Sequence, residues 1–207
     1  MRRTVRNAVI VAICFILMPI LIVLDRQFGN SLRQTIERST YAQQDRKTYH
    51  GKTFRVVNVV DGDTIDIDIP DGNQSLTRVR LLGVDTPETK HPTLGVMYFG
   101  PEASEFTTQK VLGKDVVILL DTVSDHRDSY GRLLAYVKLA DGSILNEELI
   151  TQGVGYAYLS FPHTQYDYYE QLMNTAIDQK MGLWHHAARN DLPDWLRSKR
   201  PDLLRHP

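Results

Sequence analysis

Three short clusters of ionisable residues, set between apolar stretches, have types and spacings that could support chemistry. The first is Asp61-Gly62-Asp63-Thr64, at a turn between two alternating segments. Beyond it, Ile65, Ile67 and Ile69 share one face of a strand while Thr64, Asp66 and Asp68 share the other, because strand side chains alternate. That parity puts Asp63 on the apolar face and turns Asp66 and Asp68 towards water. A carboxylate on the core side is costly unless a cation or a hydrogen-bond donor meets it. The plainer account of the same residues is a hairpin turn that Asp63 caps. The second cluster, Arg78-Val79-Arg80-Leu81-Leu82-Gly83-Val84-Asp85-Thr86-Pro87-Glu88, embeds a guanidinium in an apolar strand and sets two carboxylates beyond it. A guanidinium so placed suits bidentate capture of a phosphate or carboxylate. A structural ion pair from Arg80 to Asp85 or Glu88 is the competing account. The third cluster, Asp128-Ser129-Tyr130-Gly131-Arg132, leads straight into a strand and, taken alone, reads as a surface turn.

Two other metal motifs fail on geometry. With Asp66 at position one and Asp68 at position three, an EF-hand loop would place Pro70 and Asp71 where it needs an oxygen ligand and a glycine. His185 and His186 are adjacent, so on a helix they point about 100° apart. No third ligand is evident beside them, and a helix end favours histidine as a surface or capping residue.

The elements that must position these clusters are short strands. Residues 54–60, 64–69 and 75–82 read as the first three, the last two joined by the turn Pro70-Asp71-Gly72-Asn73. Gly100-Pro101-Glu102 opens a helix with proline in its first turn, and Ala103, Phe106 and Val111 form its apolar face. Residues 116–120 and 133–139 are two further strands. Ser143 is placed to cap a helix running through Gln152. A last helix over about 165–180 aligns Tyr169, Leu172, Met173, Ala176 and Ile177. Five strands with a helix between the third and fourth is the order of an OB-fold, a Greek-key β-barrel. The expected class is α+β, a five-stranded OB-fold barrel with about three helices.

Ahead of this domain, residues 8–24 form an apolar run flanked by Arg2, Arg3 and Arg6 before it and Asp25-Arg26 after it. At roughly 1.5 Å per residue it reaches about 25 Å, near the short limit for a bilayer span. It is longer than the apolar region of a secretory signal, and no A-x-A cleavage site follows, Gly29-Asn30-Ser31 being only a weak substitute. The reading is a transmembrane signal anchor over 8–24 behind a cytoplasmic segment 1–7, with the arginines holding the N-terminus inside. A stalk over 25–51, an OB-fold domain over 52–186 outside the cytoplasm and a polar tail over 187–207 follow. Cleavage as a signal peptide, giving a secreted protein, is the alternative. The one cysteine, Cys14, lies in the apolar run, so the exported part has no disulfide and no thiolate metal site. With 24 basic against 25 acidic residues, bulk charge does not hold this chain to nucleic acid. An anionic substrate must be gripped by a few placed cations or by a metal.

In order and wording the clusters resemble the staphylococcal nuclease family. Asp61-Gly62-Asp63-Thr64, Val84-Asp85-Thr86-Pro87-Glu88-Thr89-Lys90-His91-Pro92, Tyr98-Phe99-Gly100-Pro101-Glu102-Ala103-Ser104 and Tyr130-Gly131-Arg132 carry the likeness, which runs from about Phe54 to Trp184. The resemblance implies Ca²⁺-dependent hydrolysis of phosphodiester bonds in DNA or RNA. Asp63, Asp85 and the Thr86 carbonyl would hold the cation in an all-oxygen shell. Glu88 would activate the attacking water, Arg80 and Arg132 would clamp the phosphate, and Tyr130 and Tyr158 would contact the nucleotide. The chain departs from the family pattern at Leu94 and Ser129, where lysines are usual, and at Ser160, where a second tyrosine is usual.

Two rival classes stand beside an active enzyme: an inactive module of the same fold, and a membrane-tethered OB domain that only holds single strands. Inactive modules lose the arginines or the metal carboxylates, whereas this chain retains Asp63, Arg80, Asp85, Glu88 and Arg132. Its net negative charge and missing lysines weigh against simple holding.

Overall fold

The computed structural model describes residues 40–89 and 95–203, and the chain divides into two compact units, 1–45 and 46–207. Of the first unit only residues 40–45 are described, and they are helical. The apolar run over 8–24 lies outside the described residues. Among those described, no helix is long and apolar enough to cross a membrane.

The second unit is built on a closed barrel of five strands. Strands β1 (Lys52–Asp61), β2 (Thr64–Ile67) and β3 (Thr77–Leu81) pair antiparallel in succession. β4 (Val84–Asp85) leaves the barrel, and helix α1 (Gly100–Val111) leads to β5 (Asp115–Leu119) and β6 (Leu133–Lys138). β6 pairs parallel with β3 and antiparallel with β5, and β5 closes on β1, so the sheet is mixed and has no open edge. Two register shifts in β1, between Val56 and Asn58 and between Val59 and Asp61, give the long strand the bend that closure requires. The barrel interior is filled by Val56, Ile65, Ile67, Val79, Ile118 and Leu133, all fully buried. Alternation of these β-branched and leucine residues is what made the strands legible.

The helical complement is larger than expected. Helices α2 (Leu145–Thr151) and α3 (Tyr166–Asp178) fall where the apolar stripes placed them, and α3 buries Tyr169, Met173 and Ala176. α2 begins later than its cap residue suggested. Ser143 bonds Asp141 and Glu148 through its hydroxyl, at 2.7 and 2.6 Å, and Ile144 takes the N-cap position without a side-chain cap. Residues 46–49 end a further helix whose Tyr49 is buried, its hydroxyl 3.1 Å from Thr77 Oγ1. The segment read as a polar tail is structured through residue 203. Helix α4 (Asp194–Lys199) lies in it, and Leu192, Leu196 and Leu203 are buried in the same core. A small sheet of β4 with β7 (Tyr156–Ala157), also unforeseen, ties this side of the barrel to the chain before α3.

Asp66 departs from the parity expectation, being buried rather than facing water. Register explains it: Asn58 on β1 and Arg78 on β3 flank Asp66, and both bond its carboxylate, at 2.9 and 2.8 Å. A face turned away from the core becomes buried when its neighbours are long enough to roof it.

Asp121, just past β5, fastens two loops. One carboxylate oxygen accepts from the Val123 and Ser124 amides at 2.6 and 2.8 Å. The other accepts from the Thr164 amide and the Tyr136 hydroxyl, each at 2.9 Å. Burial alone would raise its pKa, but bonds from Thr164, Ser124 and Val123 prevail and hold it well below the ordinary value. A carboxylate depressed in the folded state stabilises the fold fully above the unfolded value of about 3.9, and that contribution is lost as pH falls from there through the folded value. Asp121→Asn is therefore expected to lower unfolding stability by at least about 2 kcal/mol at neutral pH. Urea midpoints followed from neutral pH into acid should show the gap between parent and variant narrowing only in acid.

Candidate active site

The barrel's first hairpin and the β3–β4 corner meet at one point. Register pairs Thr64 with Arg80, and the Leu81 amide donates to the Asp63 carbonyl at 2.9 Å, so the turn carrying Asp63 closes directly over the arginine. Gly62 makes that approach possible, since a Cβ there would lie 2.7 Å from Thr86 Oγ1. Gly100 does the same at the start of α1, where a Cβ would stand 2.7 Å from the Glu88 carbonyl. The resulting cluster sits at one end of the closed barrel.

Arg80 is its centre. Its Nη1 lies 2.9 Å from Asp63 Oδ2 and donates to the Val84 carbonyl at 2.8 Å, and its Nη2 donates to Asp85 Oδ1 at 2.6 Å. Burial works against the guanidinium's charge, but Asp63, Asp85 and Glu88 together raise its pKa. Asp63 is fixed from its other side as well. Thr64 Oγ1 donates to Oδ1 at 2.9 Å, and the Thr86 amide and hydroxyl donate to Oδ2 at 3.0 and 3.2 Å. Burial, with Asp63 close by, pushes Asp85 up to about 6 even though Arg80 and Trp195 bond it. Glu88 is pushed up to about 7, first by burial, then by a hydrogen bond shared with Asp61 and by the charges of Asp61, Asp63 and Asp85. The site thus holds more carboxylates than its arginine can offset.

Arg132 comes from the far side. Its Nε donates to Asp128 Oδ2 at 2.7 Å, its amide donates to the same side chain at 2.9 Å, and its guanidinium stands 5.3 Å from the Tyr130 ring. Neither Nη of Arg132 meets a protein acceptor among the described residues. Parallel pairing of β3 with β6 sets Arg80 beside Leu134, which brings the loop before β6 alongside the cluster. A cavity of about 930 Å³ is lined by Asp63, Arg80, Asp85, Glu88, Tyr130 and Arg132 together. A second cavity, of about 670 Å³, shares Arg80, Asp85, Tyr130 and Arg132 and continues past Tyr158, Phe161 and Trp195.

All eight residues singled out in the sequence therefore lie at this end of the barrel: Asp63, Arg80, Asp85, Thr86, Glu88, Tyr130, Arg132 and Tyr158. Tyr130 is 84% exposed, so packing does not account for it. Of the departures, Leu94 lies outside the described residues, whereas Ser129 lines the second cavity. Two participants escaped sequence reading. Asp61 looked like an ordinary turn residue, but its carboxylate accepts from Thr89 Oγ1 at 3.2 Å and helps raise the pKa of Glu88. Trp195, in the supposed tail, donates its indole N–H to Asp85 Oδ2 at 2.9 Å. A tryptophan in a polar stretch was the only available signal. The histidine pair is exposed, with His185 Nδ1 at 2.8 Å from His186 Nε2.

Among the described residues, no group of three or more histidine, cysteine, aspartate or glutamate side chains is placed to hold a metal ion. The expected donor set does not require one, because it comprises two carboxylates and a main-chain carbonyl. Asp63 and Asp85 both end on the same guanidinium, so their oxygens already converge. An all-oxygen, negatively charged set of this kind fits a hard divalent cation.

Comparison with known proteins agrees with the geometry. A family model described as staphylococcal nuclease homologue matches residues 78–186. The thermonuclease of Staphylococcus hyicus is 38% identical over 134 residues, covering 64% of this chain and 76% of the relative. That of Staphylococcus intermedius is 38% identical over 135 residues, covering 65% and 77%. Endonuclease YncB of Bacillus subtilis is 37% identical over 170 residues, covering 77% of this chain and 78% of its own length.

The two arginines should differ in what they do for the fold. Arg80→Met leaves the buried Asp63 and the partly buried Asp85 without their counterion and is expected to cost about 3–5 kcal/mol in EDTA. Arg132→Met breaks a partly exposed pair and should cost less than about 1 kcal/mol. Urea unfolding of both variants measures the difference.

Proposed function

The chain belongs to the staphylococcal nuclease family, and from that premise we propose that it is a Ca²⁺-dependent nuclease hydrolysing phosphodiester bonds of DNA or RNA. The observation that carries this reading is the convergence of Arg80, Arg132, Asp63, Asp85 and Glu88 on one cavity. Asp63, Asp85 and the Thr86 carbonyl would hold the cation. When bound, Ca²⁺ supplies positive charge where negative charge grows on the phosphoryl oxygens. Arg132 approaches from the opposite side with its Nη groups open to a phosphate oxygen, and Arg80 adds a second guanidinium. Glu88 accepts the proton as the water oxygen attacks phosphorus. The new P–O bond forms as the bond to the leaving sugar oxygen breaks, and that oxygen takes up a proton from solvent. Tyr130 and Tyr158 offer rings to a base or sugar beside the reacting phosphate.

A non-catalytic module of the same fold is the alternative, and the retained acid–arginine set favours the enzyme. Labelled single strands incubated with the full chain decide between them. Cleavage is expected at about millimolar Ca²⁺ and should vanish in EDTA. Undiminished cutting in chelator would overturn the ligand assignment. Glu88→Gln should lower turnover by about 10²–10⁴ with substrate binding retained. Arg132→Ala should lower it by about 10³ or more. Normal turnover in both variants, with strand binding intact, would favour a binding module with an adventitious nuclease.

Residues 8–24 are, in the same reading, an uncleaved anchor that leaves the nuclease domain outside the cytoplasm. The full-length protein should sediment with membranes, resist carbonate extraction and retain Met1 or Arg2 in its mass. Recovery of a soluble form beginning beyond residue 24 would show secretion instead.

A further inference from the structure

Trp195 stands outside the stretch that the family model matches, yet it touches the centre of the site. It lies on α4, a short helix that the core holds in place. Leu196 beside it is fully buried, Leu192 and Leu203 are buried on either side, and Arg200 bonds Asn174 of α3 at 2.9 Å. The indole is packed edge-on against Tyr158, with ring centres 4.8 Å apart and planes at 82°, and more distantly against Tyr156 at 6.4 Å. An indole N–H can only donate, and the acceptor it meets is Asp85 Oδ2. Asp85 Oδ1 is taken by Arg80 Nη2. Two donors on opposite oxygens fix the carboxylate plane against rotation.

We infer that Trp195 is a positioning residue of the nuclease site, orienting the Asp85 carboxylate for the cation while its ring backs the Tyr158 wall of the nucleotide cavity. The inference rests on the nuclease reading given above. Groups that orient a metal ligand through a hydrogen bond commonly matter to affinity nearly as much as the ligand itself. The placement also makes the C-terminal helix part of the active enzyme: without α4 docked, Asp85 loses one of its two restraints and Tyr158 loses its backing. The acceptor that the indole meets is a carboxylate lining both cavities.

The decisive comparison uses the full chain carrying Trp195→Phe, which keeps an aromatic ring but removes the N–H, and Trp195→Ala, which removes both. Ca²⁺ affinity, measured by calorimetry without substrate, should fall by about tenfold in both variants. Raising Ca²⁺ to saturation should restore most of the kcat that the Phe variant loses at limiting Ca²⁺, with KM close to the parent's. The Ala variant should retain a KM for single-stranded oligonucleotide raised roughly fivefold or more. Parental Ca²⁺ affinity in Trp195→Phe would overturn the inference and leave the nuclease reading standing. A parent that neither binds Ca²⁺ nor cuts nucleic acid would overturn the nuclease reading and this inference with it.

Discussion

A guanidinium buried at the rim of a β-barrel is the constraint on which the rest of this site depends. Charge removed from water carries a penalty of several kcal/mol even after relaxation, so Arg80 must be matched wherever it points. It is matched by Asp63 from the first hairpin, by Asp85 from β4 and by the Val84 carbonyl between them. Those partners come from separate elements, and each must arrive at the correct place for the others to be tolerable. The close turn at Gly62, the short β4–β7 sheet and the packing of α1 against Glu88 can all be understood as conditions for that meeting.

Legibility in the sequence followed the range of the interaction. The five barrel strands are written in local alternation, and α1 and α3 in local caps and stripes, so these were readable one segment at a time. The convergence of Asp63, Arg80, Asp85, Glu88 and Arg132 was readable only through family resemblance, because no single cluster specifies its neighbours in space. Asp66 shows the limit of parity. Alternation correctly assigned its face, but its burial depends on Asn58 and Arg78, which only the strand register brings beside it. The C-terminal segment was misread for a similar reason. Its charged and proline-rich composition conceals Leu192, Trp195, Leu196 and Leu203, whose spacing is too irregular and too short to form a stripe.

Electrostatic imbalance distinguishes this end of the molecule from an ordinary ion-pair network. A structural network generally pairs its charges in near-equal numbers, as Asp66 does with Arg78 and Asp71 with Arg127. Around Arg80 the acids outnumber the buried base. Burial first, and then neighbouring carboxylates, push Glu88 and Asp85 towards neutral pH. Like charges held together in a partly dry cavity raise the free energy of the empty site. Perturbed carboxylates in a cleft commonly mark functional sites.

The two accounts of Arg80, structural ion pair and anion clamp, are therefore compatible in one geometry. In this structure both Nη groups hold carboxylates, so the arginine organises the site. A cation bound between Asp63 and Asp85 would compete for the same oxygens and weaken their hold on the guanidinium. The donors so released face the cavity that Arg132 enters from the other side. Cation and phosphate would then favour one another through a shared partner, each relieving an interaction that opposes the other. Trp195 would keep Asp85 from following Arg80 during such an exchange, since its hydrogen bond to Oδ2 is independent of the one at Oδ1. A carboxylate restrained at two points can give up one bond without losing its orientation, and that would make the ion pair exchangeable rather than merely strong.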